Sequence, residues 1–333
     1  MIEFRSPSRT TGEVVVAAKG LTKHYPAVGR VGTVHALDDL AIELRAGRVL
    51  GMVGESGSGK STAARVLSLL VMPTKGTIEL DGEPVDIRRR GAVRKYRSTV
   101  QMVFQDPFSS LNPARRVDQI LDRPLLLHHH ATRRDVTDRL RDLLTQVGLT
   151  PPDEFLEKYP HELSGGQRQR VGIARALATG SRVLLADEPV SMLDVSIRAG
   201  ILNLLAGLRD SRGLALLYIT HDLASAHYLS DDIMVMYAGE AIEYGPSDVI
   251  VEDAKHPYTK LLLASVPEPG TPRPLDRARS AAGDLPDMSR PPAGCRFHPR
   301  CPYTMDICRT EAPVVTPLDE GHWVRCHLVD AVH

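Results

Sequence analysis

The sequence predicts an α/β fold with a largely parallel sheet, followed by a smaller segment that contains all four cysteines. Short apolar segments at 49–53, 183–188 and 214–220 are typical of buried strands, and stretches of helical periodicity separate them. Glycine or polar residues end each segment, and the carboxyl edge of a parallel sheet is where ligands bind in this architecture. We therefore expect a ligand site built from several strand ends.

Length and composition allow one large domain with a smaller appendage, or two domains. The chain has 333 residues, of which 42% are hydrophobic and 25% charged, as in ordinary globular proteins. Lys+Arg and Asp+Glu both total 41, so the net charge gives no support to nucleic-acid binding. No apolar run has the length that spans a bilayer, and the N-terminus lacks a secretion signal. We therefore expect a soluble cytoplasmic protein.

The region before the first buried strand predicts two strands within 14–45, joined by a polar loop. Tyr25 stands at the head of that loop and could stack on an adenine ring. On residue type alone, an ordinary half-buried aromatic is the simpler interpretation.

The segment after the apolar run 49–53 fits the pattern G-x-x-x-x-G-K-[ST] and precedes a helix predicted over 62–71. Its glycines let backbone N–H groups point at phosphate oxygens, and the helix N-terminus adds partial positive charge. Lys60 would reach the β- and γ-phosphates, and the Ser61 hydroxyl would bind Mg²⁺. A glycine-rich turn that matches by chance is the alternative, but it leaves the strand-loop-helix setting unexplained. The segment comprises Gly54, Glu55, Ser56, Gly57, Ser58, Gly59, Lys60, Ser61 and Thr62.

Two features between 76 and 148 are interpreted as structural. An Asp-Gly dipeptide predicts a hairpin at 76–85. Six basic residues within 88–97 are interpreted as a solvated helix face. A short strand at 99–104 then ends at Gln105, and helices are predicted between 115 and 148.

Three later segments carry chemistry. The run Leu-Ser-Gly-Gly-Gln at 163–167 precedes a helix predicted through 178. Its two adjacent glycines at the helix N-terminus make a second site that could bind an anion. The strand at 183–188 ends in Asp187, which suits Mg²⁺, and Glu188, which can orient and deprotonate water. Capping of the next helix is the alternative role for this pair. His221 follows the strand at 214–220 and could contact a γ-phosphate, although a lone histidine is more often structural.

In this order, the segments together resemble the ATP-binding subunits of ABC transporters, over about the first 250 residues. The resemblance implies an α/β P-loop NTPase (ABC ATPase) core with an antiparallel β subdomain and a helical subdomain at about 106–178. It divides the chain into a nucleotide-binding domain (1–254), a helix with a proline-rich linker (255–292) and a small cysteine-rich extension (293–333).

The resemblance also implies a role for each matched residue around ATP and Mg²⁺. Glu188 would be the catalytic base, His221 the switch that holds the γ-phosphate, and Gln105 the sensor of Mg²⁺ and the attacking water. Asp187 would support Mg²⁺ together with Ser61 and Gln105, and Tyr25 would stack on adenine. The contacts to the phosphates would come from Gly54, Ser56, Gly57, Gly59, Lys60, Ser61 and Thr62.

In this family two subunits sandwich ATP head to tail, so part of each site comes from the partner. Ser164, Gly165, Gly166 and Gln167 would act on the nucleotide of the other chain. Asp194 would belong to the loop that communicates between the two sites. Met192 departs from the small residue that is usual in that loop.

A narrower resemblance, to the oligopeptide and dipeptide importer branch, rests on the runs 103–113, 187–191 and 256–260. It implies a second, different ATPase subunit, two membrane permeases and an extracytoplasmic solute-binding protein. The chain would sit on the cytoplasmic face of the membrane, held by the permeases. Import of sugars or metal chelates is an alternative. A soluble ABC-type ATPase in DNA repair or translation is another alternative. The chain has one ATPase cassette instead of two in tandem and a balanced charge, and both features argue against that role.

The four cysteines, Cys295, Cys301, Cys308 and Cys326, follow a segment with seven prolines at 266–292 that predicts an extended linker. Four thiolates in a cytoplasmic tail suggest metal coordination more than disulfides. The residues alone leave Zn²⁺ and an iron–sulfur cluster open, although the C-x-x-C knuckles usual in zinc sites are absent. The run 294–302 resembles the C-terminal extension of peptide-importer ATPases, which implies a [4Fe-4S] cluster, with Zn²⁺ as the alternative.

Overall fold

The computed structural model describes residues 12–27, 32–106, 110–265 and 285–330, which form two sheets flanked by helices. The larger sheet has eight strands in the order β11-β12-β10-β9-β3-β8-β7-β6, and the smaller has four in the order β2-β1-β4-β5. The strands are β1 (Val14–Pro26), β2 (Thr33–Arg45), β3 (Val49–Val53), β4 (Lys75–Leu80), β5 (Glu83–Pro84), β6 (Val100–Val103), β7 (Val183–Asp187), β8 (Ala215–Thr220), β9 (Asp232–Tyr237), β10 (Glu240–Pro246), β11 (Thr316–Pro317) and β12 (Trp323–Val324).

Helices cover both faces of the larger sheet and form a group between β6 and β7. In chain order they are α1 (Lys60–Leu67), α2 (Arg90–Thr99), α3 (Val117–Leu127), α4 (Val136–Gln146), α5 (Asp153–Leu156), α6 (Gly165–Leu177), α7 (Val195–Arg212), α8 (Leu223–Leu229), α9 (Ser247–Glu252), α10 (Pro257–Ala264), α11 (Ile307–Thr310) and α12 (His327–Asp330). None of the helices in the described ranges has both the length and the hydropathy that crossing a bilayer requires.

The five strands β9, β3, β8, β7 and β6 run parallel, which confirms the predicted sheet. Every residue of β3, β7 and β8 is buried, as expected for parallel strands covered on both faces. The register pairs Val53 with Thr220, and Asp187 with Ile219. The loops after these three strands therefore open side by side at one edge of the sheet.

The smaller sheet is antiparallel throughout. Its hairpin between β4 and β5 turns at Asp81 and Gly82, whose φ angles of 52° and 79° match the two left-handed positions of a type I′ turn. The predicted Asp-Gly hairpin is therefore present. The alternating apolar side chains of β1 and β2 pack with α1 in one core cluster.

The first helix differs from the predicted span of 62–71. It begins at Lys60 and ends at Leu67. Leu69 has a φ of 55°, which helical backbone cannot accommodate, so the apolar residues at 69–71 belong to the following turn. The helical pattern between 115 and 148 corresponds to α3 and α4, which pack against α6.

The cysteine-rich segment joins the main sheet instead of standing apart from it. Strand β12 pairs with the edge strand β10, and β11 pairs with β12. Trp323 stacks against Tyr244, with ring centroids 6.0 Å apart, and only 7% of Trp323 is exposed. Residues 285–292, assigned above to a linker, pack against the core through Leu285 and Met288. The linker residues 266–284 lie outside the described residues.

Candidate functional site

The loops at the carboxyl edge of the parallel strands enclose a cleft of about 740 Å³. The predicted phosphate loop forms its floor, and the strand ends after β6, β7 and β8 form one wall. Residues of β2 and of the C-terminal region form the opposite wall. The lining residues are Val34, Ala36, Glu55, Ser56, Gly57, Gly59, Lys60, Ser61, Thr62, Gln105, Glu188, His221, Leu262, Ser265 and Met288.

The shape of the phosphate loop depends on glycines packed tightly against neighbouring strands. A Cβ at Gly54 would lie 2.3 Å from the carbonyl oxygen of Met236, and one at Gly59 would lie 2.6 Å from that of Ala36. Both glycines also have φ values, 155° and 106°, that side chains disfavour. The loop therefore keeps this path only with glycine at both positions.

Lys60 lies beneath the loop with only 4% of its surface exposed. Its Nζ donates hydrogen bonds to the carbonyl oxygens of Gly54, at 2.6 Å, and Glu55, at 2.8 Å. Burial lowers the pKa of the ammonium, although the carboxylates of Glu188, Asp187 and Glu55 oppose the shift. A cation held at the base of an N–H-lined loop is suited to binding phosphate oxygens.

Ser61 and Asp187 come from different elements and meet at the edge of the cleft. The Ser61 hydroxyl donates to Oδ1 of Asp187 at 2.9 Å. Burial raises the pKa of Asp187, and the neighbouring Glu188 carboxylate adds to the rise. Hydroxyl and carboxylate oxygens placed together are ligands that Mg²⁺ accepts, so this pair could hold the ion.

Two predicted catalytic side chains, Gln105 and His221, contact the carboxylate of a third, Glu188. Gln105 donates from Nε2 to Oε2 of Glu188 at 3.3 Å, and Nδ1 of His221 lies 3.3 Å from the same oxygen. Glu188 has a φ of 45°, a left-handed conformation that is rare for side chains with a Cβ and recurs at functional sites. Its carboxylate is thus held where a water at the cleft could be bound.

The predicted signature at 163–167 lies away from this cleft. Ser164 caps α6: its Oγ accepts from the N–H of Gln167 at 3.3 Å, and its own N–H donates to Oε1 of Gln167 at 2.9 Å. A Cβ on Gly166 would lie 2.6 Å from Cγ2 of Ile197, so the signature packs closely on α7. Among the described residues that line the cleft, none belongs to 163–167.

The signature has an exposed residue, Ser164, that a partner subunit could reach. Ser164 is exposed, as are Met192 and Asp194 in the loop before α7. A Cβ on Gly165 would lie 3.3 Å from Leu193, which ties this loop to the start of α6. These residues form one surface that could act on a ligand bound elsewhere.

Tyr25 is placed near the cleft but not among its lining residues in the described part of the chain. It lies directly opposite Val34 across the β1–β2 pair, so both side chains share one face of the hairpin, and Val34 does line the cleft. The Lys23 ammonium lies 5.0 Å from the centre of the Tyr25 ring. Adenine stacking by Tyr25 stays a prediction.

Several residues at the cleft were missed by sequence reasoning: Val34 and Ala36 of β2, and residues of the C-terminal region. Leu262, Ser265 and Met288 line its wall. The N–H of Glu55 donates to the Tyr258 hydroxyl at 2.9 Å, and the Glu55 carboxylate is paired with Arg300. The Tyr258 position lies in the run 256–260, but nothing local in that run indicates a contact with a loop some 200 residues earlier.

The four cysteines converge in the C-terminal region as free thiols. Burial raises the pKa of Cys295 to about 12, and thiolates at Cys308, Cys326 and Cys301 add to the rise, so all four lie within electrostatic reach of one another. In the described residues, no three of their sulfurs lie within 4.8 Å of each other. One tetrahedral Zn²⁺ would hold them about 3.8 Å apart, given Zn–S bonds of about 2.3 Å.

Two family models match the chain. One is described as ABC transporter and matches residues 37–191, and the other as oligopeptide/dipeptide transporter, C-terminal region, and matches residues 242–308. Similar proteins include the di/tripeptide transport ATP-binding protein DppF of Pseudomonas aeruginosa, 42% identical over 95% of this chain and 98% of that protein. The oligopeptide transport ATP-binding protein AppF of Bacillus subtilis is 41% identical, over 95% of this chain and 98% of its own.

Solved structures of other proteins share this fold. The dimeric ATP-binding cassette MJ0796, in a post-hydrolysis state bound to ADP and Pi, is 28% identical with a TM-score of 0.62, over 70% of this chain and 98% of that one. The cbiO1 protein from Clostridium perfringens, part of the ABC transporter complex cbiONQ, is 28% identical with a TM-score of 0.63, over 73% of this chain and 92% of that one.

Replacement of Lys60 tests the phosphate loop. We expect Lys60→Ala to weaken ATP binding by roughly tenfold to a hundredfold, because charge-assisted hydrogen bonds contribute about 1.5–3 kcal/mol. Equilibrium titration with a fluorescent ATP analogue measures the change. Lys75→Ala, which removes an exposed lysine of β4, is the matched control and should bind normally. Unchanged affinity in Lys60→Ala would count against a phosphate site at this loop.

Proposed function

This chain belongs to the ATP-binding proteins of ABC transporters, and from that premise we propose that it hydrolyses ATP to power peptide import through separate membrane permeases. The observation that carries the proposal is the convergence of Gln105 and His221 on Glu188 beside the phosphate loop. Peptides are favoured as the solute because relatives over nearly the whole chain carry peptide-transport names and because the second family model covers residues 242–308.

The proposed hydrolysis starts from a triphosphate whose terminal phosphate faces Glu188. Lys60 and the loop N–H groups bind the phosphate oxygens, and Ser61 and Asp187 hold Mg²⁺. When bound, Mg²⁺ neutralises charge on the phosphate oxygens. Glu188 orients a water and accepts its proton during in-line attack, while Gln105 positions that water and His221 contacts the γ-phosphate. Loss of the γ-phosphate removes the contacts that keep the site closed.

A second ATPase subunit completes the proposed site. Ser164 of the signature is exposed, and the signature lies outside the described lining of this chain's own cleft, which supports a role on the nucleotide of a partner. We propose a head-to-tail pair in which the other subunit is a different chain, as in the importer branch that the sequence resembles. Closure of the pair on ATP and opening after hydrolysis then drive the permeases.

Replacing Glu188 tests the base. Glu188→Gln keeps the shape but cannot accept a proton, so we expect ATP turnover to fall by about 10²- to 10⁴-fold while ATP still binds. Phosphate release and nucleotide titration on the same preparation separate the two effects. Glu157→Gln, at an exposed position of the helical region, should hydrolyse ATP normally. Hydrolysis near the normal rate in Glu188→Gln would refute the assignment.

A groove between α2 and α3 is the proposed docking site for a permease. It has a volume of about 520 Å³ and is lined by apolar side chains such as Ile120 and by arginines such as Arg97 and Arg123. Leu70 and Leu127 line it with half of their surface exposed, so an apolar side chain of a partner could pack there. Phe104, the residue before Gln105, also lines the groove. A short amphipathic helix with acidic residues fits this chemistry and would lie beside the catalytic loop.

Charge placed in the groove tests the docking site. We expect Leu127→Glu to bind ATP normally but to lose its association with the permeases, because a buried carboxylate would face the apolar side of the docked helix. Co-purification from detergent-solubilised membranes is the measurement, and Val314→Glu, at an exposed position of the C-terminal segment, is the control. Full permease recovery with Leu127→Glu would exclude this groove, and recovery of DNA or ribosomes instead of permeases would favour a soluble role.

For the four cysteines we propose a [4Fe-4S] cluster. The four are free thiols within one short segment, which supports a bound metal group, and the resemblance of the run 294–302 to the C-terminal extension of peptide-importer ATPases favours the cluster. When bound, such a cluster would link the four thiolates through iron and offset part of their negative charge. Cys295, Cys301, Cys308 and Cys326 would each supply one thiolate.

Elemental analysis tests the cluster. Anaerobically purified protein should be brown and contain about four irons per chain, and Cys308→Ser should lose most of that iron. Optical absorption and iron assay on both proteins provide the measurement. Stoichiometric zinc without iron would contradict the proposal.

A further inference from the structure

The cysteine-rich segment contacts the phosphate loop through one ion pair, Arg300 with Glu55. The guanidinium forms a fork on the carboxylate: Nη1 donates to Oε2 at 2.9 Å, and Nη2 donates to Oε1 at 3.0 Å. The Arg300 side chain is 11% exposed and that of Glu55 32%. A two-point pair of this kind is geometrically specific and is partly shielded from solvent.

Glu55 is an unfavourable residue for an anion-binding loop. Glu55 lines the cleft beside Lys60, where a triphosphate would be held in the proposed function. An unpaired carboxylate there would repel the phosphates, since like charges a few ångströms apart near a protein surface interact strongly. Arg300 removes this repulsion by pairing with the carboxylate and turning it toward the C-terminal segment.

Arg300 lies in a short turn between Cys295 and Cys301, and backbone hydrogen bonds within the turn hold it in position. The N–H of Arg300 donates to the carbonyl of Phe297 at 3.0 Å, and that of Cys301 donates to the carbonyl of His298 at 3.3 Å. Phe297 is 2% exposed and packs edge-on against Tyr237. A backbone hydrogen bond also joins two of the cysteines: the N–H of Cys295 donates to the carbonyl of Cys308 at 2.9 Å.

We propose that Arg300 is a positioning residue for ATP: it neutralises Glu55, and the state of the four-cysteine group controls how well it does so. The proposal rests on the proposed ATP site and adds a coupling between that site and the cysteines. Ordering of the turn by a group bound to Cys301 keeps the adjacent guanidinium on Glu55. Loss of that group frees the turn and exposes the phosphates to the Glu55 charge.

The first experiment measures nucleotide affinity in Arg300→Gln. We expect the variant to bind ATP about tenfold more weakly than the unaltered protein does. The affinity for ADP should fall less and that for AMP only slightly, because the repulsion grows with the number of phosphates. Arg309→Gln, an exposed arginine beside Cys308, is the matched control and should bind all three nucleotides normally. Equal losses for ATP and AMP would mean general loosening of the segment and would overturn the proposal, as would unchanged ATP affinity.

A rescue separates charge from structure. Glu55→Gln removes the repulsive carboxylate, so the double variant Arg300→Gln/Glu55→Gln should bind ATP as Glu55→Gln alone does. A double variant that binds as weakly as Arg300→Gln would show that Arg300 does not act through Glu55. If the unaltered protein itself binds no ATP, the proposed function fails. If the unaltered protein binds ATP and Arg300→Gln binds it equally well, the proposed role of Arg300 fails and the proposed function stands.

The link to the cysteines is tested in the same assay. Cys301→Ser, with its iron content measured in parallel, should bind ATP about as weakly as Arg300→Gln, and adding Cys301→Ser to Glu55→Gln should cause no further loss. Nucleotide titration and iron assay together provide readouts that do not depend on hydrolysis. Full ATP affinity in an iron-depleted Cys301→Ser protein would overturn the coupling.

Discussion

The parallel register of β3, β7 and β8 determines where the residues of the site meet. Val53 pairs with Thr220, and Asp187 with Ile219, so the three loops that follow must open at one edge of the sheet. This placement brings Ser61 to within hydrogen-bonding distance of Asp187, 126 residues later. Gln105 and His221 reach Glu188 for the same reason, since each follows a strand of this sheet.

Sequence reasoning was sufficient for the part of the site that is encoded locally. The phosphate loop, the buried strands and the Asp81–Gly82 hairpin each have a short signature whose physical cause lies within a few residues. Once the strands are known to be parallel, the meeting of Asp187 with Ser61 follows from topology. The structure adds the shared oxygen of Glu188 and its left-handed backbone, which no pattern in the sequence specifies.

Contacts between distant parts of the chain could not be predicted. The α1 helix ends at Leu67, earlier than its apolar pattern suggests, because the backbone turns at Leu69. The C-terminal segment was predicted to be an appendage, yet β12 continues the main sheet and Arg300 reaches the phosphate loop. Edge-strand pairing and single ion pairs leave no periodic signal, so the contact of this segment with the phosphate loop is visible only in three dimensions.

We propose that the cleft of this chain is half of an ATP site. The most direct test is a structure of the assembled transporter that carries Glu188→Gln and is loaded with ATP and Mg²⁺. We predict that the γ-phosphate lies between Lys60 of this chain and the signature segment of the other ATPase subunit, within hydrogen-bonding distance, about 3 Å, of both. A γ-phosphate enclosed by this chain alone, with both signature segments remote from it, would contradict the account.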